Sequence, residues 1–228
     1  MQDHNLEKLN AGEKAIDFIK DGMLLGLGTG STVYYTIKKI GELVREGMKL
    51  KAVSTSSATS QLASSLGIDI LPFNKITKTD LTIDGADEVD PQLNGIKGGG
   101  GALLYEKLVA EASDKIIWVV DSGKQVKKLG KFPLPVEVVQ FGMDHLLQIF
   151  KDRNYNPVLR LKDDRPYITD AGNYIVDLHM NEIDYPEKLN SEIKLLTGVV
   201  ETGLFLNLAD KVIIGSGNTT EIIDRNAG

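Results

Sequence analysis

The stretch MLLGLGTGST, residues 23–32, decides the fold. Its first half is a short apolar run of strand length, and its second half alternates glycine with threonine and serine. Residues 32–46 then place Val33, Ile37, Ile40 and Val44 at helical spacing. Strand, glycine-rich turn and helix in that order open a βαβ unit, and the pattern extends on both sides. Upstream, residues 3–20 read as an amphipathic helix through Leu6, Leu9, Ile16 and Ile19. Downstream, KAVS (51–54) reads as a second strand, and a helix near 58–66 stops at Gly67. IDIL (68–71), LTID (81–84) and KIIWVV (115–120) supply further strands. Strands alternating with helices, each strand followed by Gly, Ser or Asp, predict an α/β domain with a largely parallel sheet.

The pattern changes at GKFPLPVEVV (130–139), where two prolines stiffen the connection. VEVVQF then reads as strand, 142–152 as helix, PVLRLK and NYIVDLHM as strands, PEKLNSEIKLLT (186–197) as helix and VVETGLF as strand. That order, βαββαβ, is the ferredoxin-like α+β arrangement. The run KVIIGSG (211–217) is expected to rejoin the first sheet. The expected division is therefore 1–131 plus 207–228 for the main domain and 132–206 for the smaller one.

The chain has 228 residues, a net charge of −6 and no cysteine. Disulfides, thiolate catalysis and cysteine metal sites are excluded, and the negative charge argues against nucleic acid as the main partner. A small phosphorylated substrate remains compatible, since a local pocket can be positive. MQDHNLEKLN lacks the features of a secretory signal, and no window has the apolar length of a membrane span, so a cytoplasmic location without membrane partners is expected.

Four segments carry candidate chemistry. In GLGTGST (26–32), glycines let backbone N–H groups approach an anion at a helix N-terminus. The dinucleotide pattern G-x-G-x-x-G fails at Ser31, and the second strand ends in Ser54-Thr55-Ser56-Ser57 rather than in an acid that would hold a ribose. A tight turn with Ser31 or Thr32 as helix cap is compatible with either reading, and the motif favours phosphate binding. STSSAT (54–59) is a second strand-end loop at the same expected edge. DGADEVD (84–90) has neither EF-hand spacing nor a nearby histidine. Magnesium between Asp84 and Asp87 stays open. Glu88 and Asp90 read as a solvated turn, whereas Asp84 ends a buried strand, where an unused charge is costly. KGGGGALLYEK (97–107) has four glycines that permit close approach to a ligand, with Glu106 in the helix that follows. An exposed Glu106–Lys107 pair would be the commoner fate of those residues. In DSGKQVKKLGK (121–131), Lys124 lies closest to the strand end, and Lys127, Lys128 and Lys131 read as surface.

Together GLGTGST, STSSAT, DGADEVD, KGGGGALLYEK and GKFPLPVEV resemble the type A ribose-5-phosphate isomerase family across nearly the whole chain. The resemblance implies a Rossmann-like main domain, a ferredoxin-like small domain, a homodimer or homotetramer, and a sugar phosphate isomerised without cofactor or metal. It implies Glu106 as general base, with Asp84, Asp87 and Lys97 in the proton transfers. Thr29, Gly30, Ser31 and Thr32 would bind phosphate. Asp84, Gly85, Ala86, Asp87, Lys97, Gly98, Gly99, Gly100 and Lys124 would contact the sugar. Lys8 matches an N-terminal phosphate contact, and Tyr105 stands where many members carry arginine. The rival readings are an amino-sugar phosphate isomerase/deaminase, a coenzyme A transferase, a sugar-phosphate sensor and an NAD-dependent dehydrogenase.

Overall fold

The computed structural model describes residues 4–225, so Asp3 at the start of the expected first helix lies outside the described residues. The chain forms two compact units. The first comprises Met1–Ala86, Tyr105–Gln125 and Asn207–Gly228, and the second Asp87–Leu104 and Val126–Leu206.

In the first unit, six parallel strands run in the spatial order Asp69–Ile70, Lys51–Ser54, Leu24–Leu27, Leu81–Asp84, Ile116–Asp121, Lys211–Ser216. Numbered along the chain this is 3-2-1-4-5-6, the Rossmann order. KVIIGSG does rejoin this sheet, pairing in parallel with Ile116–Asp121. A seventh strand, Thr219–Asp224, extends the edge as an antiparallel hairpin that its mixed polarity does not advertise. Every residue of Leu81–Asp84 and of Ile116–Asp121 is buried, as expected for strands covered on both faces. The core gathers Leu25, Leu27, Ile37, Ile40, Ile83, Val119 and Ile213.

The first helix is shorter than expected, His4–Lys14 followed by a 3-10 turn at Ala15–Phe18. Its inward face is Glu7, Ala11 and Gly12 rather than Leu6 and Leu9. Small residues are needed because the helix lies very close to its neighbours: Thr36 Oγ1 donates to the Gly12 carbonyl at 2.9 Å, and a Cβ on Gly215 would overlap Glu7 backbone. Glu7 is fully buried, but its carboxylate accepts from Gly217 N–H at 2.9 Å and Ser122 Oγ at 2.9 Å. Those bonds, the Gly217 amide foremost, hold its pKa below the usual carboxylate value.

In the second unit, a four-stranded antiparallel sheet has the order Val199–Thr202, Leu134–Val138, Tyr174–Leu178, Pro157–Leu159. With helices Met143–Asp152 and Pro186–Lys194 it completes the ferredoxin-like βαββαβ unit, spatial order 4-1-3-2. Val136, Val138, Phe150, Val176, Leu178 and Ile193 fill its core. Two expected strands are broken. PVLRLK divides at Arg160, after which Leu161–Lys162 turns back on Arg165–Pro166 through Asp163 and Asp164, both with positive φ. VVETGLF divides at Gly203, whose N–H donates to the Pro135 carbonyl at 2.7 Å. Leu204–Phe205 then joins Gly95–Ile96 and Glu88–Val89 in a small sheet.

Candidate active site

The parallel register pairs Leu27 with Ser54 and with Ile83, so the loops after these strands leave one edge of the first unit's sheet. Chain order reverses between Leu24–Leu27 and Leu81–Asp84, which makes this the switch point where open α/β sheets bind ligands. Here GLGTGST and STSSAT meet through their hydroxyls. Thr29 Oγ1 lies 2.8 Å from both Thr55 Oγ1 and Ser56 Oγ, and 3.2 Å from Thr59 Oγ1. Thr59 Oγ1 in turn donates to the Gly28 carbonyl at 2.9 Å.

The capping explanation holds for one loop and not the other. Ser56 Oγ accepts from Thr59 N–H at 3.1 Å and caps the Ser57–Ser65 helix. Thr32 occupies the N-cap position of the Val33–Arg45 helix, but its hydroxyl makes no capping bond. Gly30, at φ +137°, takes a backbone conformation that side-chain-bearing residues rarely adopt, and Gly30 and Ser31 are exposed.

Asp84 is 2 % exposed, and its Oδ1 accepts from Gly85 N–H at 2.7 Å and Thr29 N–H at 3.1 Å. The space it fills exists because residue 28 is glycine: a Cβ there would overlap the carboxylate and stand 2.6 Å from Asp84 Cα. Gly85 and Ala86 follow, half-buried. Glu106 occupies the first turn of the Leu103–Glu111 helix, where the helix dipole favours an anion. It is 4 % exposed and Lys107 6 %, so the solvated Glu–Lys pair is not what the fold contains. Val109, one turn on from Glu106 and on the same helix face, packs where a Cβ on Gly26 would be. Lys124 ends the 3-10 turn Ser122–Lys124 after the Ile116–Asp121 strand and is half-buried, as is Lys8 on the first helix.

The second unit holds the remaining candidates. Asp87 Oδ2 accepts from Gly99 N–H at 2.7 Å, and a Cβ on Gly99 would come 2.6 Å from Asp87 Oδ1. Gly98 and Gly101 take φ of +104° and +79°, so the glycine run is required by backbone shape as well as by close approach. Gly99 and Gly100 are exposed. Lys97 is 2 % exposed, its N–H donates to the Gly203 carbonyl at 2.9 Å, and its Nζ lies 5.2 Å from the centre of the Phe205 ring.

The outer carboxylates of DGADEVD are not a solvated turn. Glu88 is 3 % exposed and accepts from Gly130 N–H at 2.7 Å and Phe132 N–H at 2.6 Å. Asp90 is 8 % exposed, and its Oδ1 accepts from the N–H groups of Gln92 and Asn94, both at 2.9 Å. Both hold backbone amides, of which those of Gly130 and Asn94 are at buried residues. Among the described residues, the one cluster of three metal-ligating side chains is His4, Glu7 and Asp121, outside this motif.

Three comparisons bear on this arrangement. The family model of ribose 5-phosphate isomerase A (phosphoriboisomerase A) matches residues 51–219. The chain belongs to that family. Ribose-5-phosphate isomerase A of Limosilactobacillus reuteri is 47% identical over 224 residues, 97% of this chain and 98% of its own. The Streptococcus gordonii protein of the same name is 48% identical over 223 residues, covering 97% and 99%. Among solved structures, ribose 5-phosphate isomerase A from Neisseria gonorrhoeae superposes with a TM-score of 0.91 at 38% identity, covering 99% of both chains. A D-ribose-5-phosphate isomerase in complex with phospho-erythronic acid gives a TM-score of 0.93 at 38% identity, covering 96% of this chain and 97% of its own. Arg160 and Tyr167 lie near the glycine loop and do not stand out in the sequence: Arg160 Nη1 donates to the Gly98 carbonyl at 2.8 Å, and Tyr167 OH to the Gly100 carbonyl at 3.4 Å.

Proposed function

We propose that the chain interconverts D-ribose 5-phosphate and D-ribulose 5-phosphate, an aldose–ketose isomerisation of the non-oxidative pentose phosphate pathway. Family membership supports the reaction, and the phospho-erythronic acid complex of a relative supports a four- or five-carbon sugar phosphate as the ligand class. The observation that carries the reading within this chain is Asp84, a buried carboxylate at the sheet's switch point beside the Thr29 hydroxyl cluster.

In this reading Thr29, Gly30, Ser31 and Thr32 bind phosphate through N–H and hydroxyl donors. Asp87, with Lys124, opens the furanose ring. Glu106 removes the proton from C2 of the aldose, leaving a cis-enediolate, and returns it to C1; no electron leaves the substrate and no co-reactant is needed. Asp84 moves the hydroxyl proton between O1 and O2. Lys97 and the amides of Gly98, Gly99 and Gly100 stabilise the developing oxyanion. Gly85 and Ala86 complete the sugar contacts, and Lys8 adds a phosphate contact. Burial of Glu106 suits a carbon-acid base, because bulk water is kept from the carboxylate and from the intermediate it forms. The chain acts without cofactor or metal, as a homodimer or homotetramer in the cytoplasm; no helix among the described residues is long and apolar enough to cross a membrane.

The test is ribulose 5-phosphate formation in excess EDTA by wild type and Glu106→Gln. Turnover that survives EDTA and falls about 10²–10⁴-fold in the variant, with substrate still bound, is the expected result. Turnover abolished by EDTA, or unchanged in Glu106→Gln, overturns the mechanism.

A further inference from the structure

The hairpin Leu161–Lys162/Arg165–Pro166 takes no part in the chemistry above, yet its two flanking residues grip the glycine run. Tyr167 N–H donates to the Arg160 carbonyl at 2.9 Å and closes the base of the hairpin. Arg160 Nη1 donates to the carbonyls of Gly98 at 2.8 Å and Gly99 at 3.2 Å. Its Nε and Nη2 are bound to Asp177 Oδ2 and Oδ1 at 2.9 and 2.5 Å. Tyr167 OH donates to the Gly100 carbonyl at 3.4 Å, and a Cβ on Gly101 would overlap the Tyr167 ring. Three consecutive carbonyls are thus held by one pair of side chains.

A trans peptide presents its C=O and N–H on opposite edges. The peptide joining Gly98 to Gly99 is bound by Arg160 at its carbonyl edge and by Asp87 Oδ2 at its amide edge. Guanidinium and carboxylate are coupled through one rigid plane. A cation on the carbonyl also polarises the N–H toward its acceptor, so the two bonds strengthen each other. Only a planar fork can hold Asp177 bidentately and still offer another nitrogen to two carbonyls; a lysine ammonium cannot. The Arg160 and Asp177 side chains are only 16% and 17% exposed, so the pair is held in one geometry rather than fluctuating in water.

We propose that Arg160, braced by Asp177, is a positioning residue for the isomerisation: it shapes the Lys97–Gly100 loop and, through the Gly98–Gly99 peptide, aims the Asp87 carboxylate. The inference rests on the reading of that loop and of Asp87 as substrate contacts.

The experiment is a kinetic cycle of wild type, Arg160→Lys, Asp87→Asn and the double variant, with circular dichroism to verify the fold. Arg160→Lys is expected to lower kcat about 10–100-fold while KM moves less, the signature of misplacement rather than lost binding. Because the arginine acts through Asp87, the double variant should be far less impaired than the product of the two single losses. A purely structural arginine would give multiplying losses, and that outcome overturns the proposal, as does Arg160→Lys with wild-type kcat. Full activity in Asp87→Asn would overturn the underlying reading of Asp87 and this proposal with it. If Arg160→Lys does not fold, Asp177→Asn serves instead, since it keeps the arginine and removes its brace: a folded Asp177→Asn with wild-type kcat refutes the positioning role.

Discussion

Gly28→Ala tests whether the placement of Asp84 matters to the chemistry. A Cβ at residue 28 would lie 2.6 Å from Asp84 Cα and closer still to its carboxylate, whereas ordinary contact begins at 3.4 Å. The backbone of Asp84 must therefore retreat by about 0.8 Å, and the carboxylate by more. Overpacking of this kind costs about 1–3 kcal/mol, which leaves the fold standing in most proteins. Catalysis is less forgiving, since a misplacement of about 1 Å is worth about 10²-fold in rate. Asp84 Oδ1 would also lose its bonds to the Gly85 and Thr29 amides, now 2.7 and 3.1 Å. The assay is initial-rate formation of ribulose 5-phosphate, paired with urea unfolding. Gly41→Ala is the control: its methyl would press on Leu66 Cβ at 2.7 Å, an overpacking of the same kind within the helical layer. We expect Gly28→Ala to lose about 100-fold in kcat and Gly41→Ala to keep its rate. A folded Gly28→Ala with wild-type kcat would show that a displaced Asp84 works as well as the native one, and the proton-shuttle role would fall.

Glu88→Gln should cost stability and not activity. Only one of its two terminal atoms can accept, so the N–H of Gly130 or of Phe132 is left facing an amide at a buried site, worth about 1–3 kcal/mol in urea unfolding with kcat unchanged; a large loss of kcat at normal stability would return Glu88 to the chemistry. Glu137 gives a pH prediction. It is 1% exposed, and its Oε1 accepts from Thr169 and Asn173. Burial, the largest cause, raises its pKa above the usual carboxylate value, and neighbouring Glu201 pushes the same way. The folded chain therefore holds this proton when the unfolded chain has released it. Stability from this group is complete below the ordinary carboxylate pKa and declines as pH rises through the raised one. Glu137→Gln should flatten that decline in thermal melts taken from pH 4 to 8 (roughly the range over which a carboxyl with a raised pKa titrates); an unchanged slope would assign it to another group.

The parallel sheet was legible because buried strands leave a trace: Ile116 to Val120 is an unbroken apolar run, LTID carries Leu81 and Ile83, and each strand stops at an aspartate suited to a turn. The ferredoxin-like unit was legible in its element order, though not in its interruptions. Nothing in PVLRLK shows that Arg160 will turn its side chain away to partners 17, 61 and 62 residues distant. The same limit explains the first helix. Leu6 and Leu9 look like its inward face, but Glu7 takes that place because Ser122 and Gly217, 115 and 210 residues away, bring N–H and hydroxyl donors to it.

DGADEVD shows why the candidate site was half readable. Asp84 could be singled out because the strand before it forces it indoors, a purely local argument. Glu88 sits four residues on in a run that looks like water-facing turn, and its burial depends on Gly130 and Phe132, 42 and 44 residues away. A carboxylate belongs in a protein interior only where N–H groups meet it, and those donors come from wherever the fold brings them. Glu88 commits both oxygens to the backbone of a distant segment and so serves architecture. Asp84 Oδ1 accepts from the amides of residues 29 and 85, both in loops that leave the sheet at its switch point. The spacing of acidic residues in a sequence thus marks where carboxylates are concentrated, while which backbone each one holds follows from the donors that the fold delivers to it.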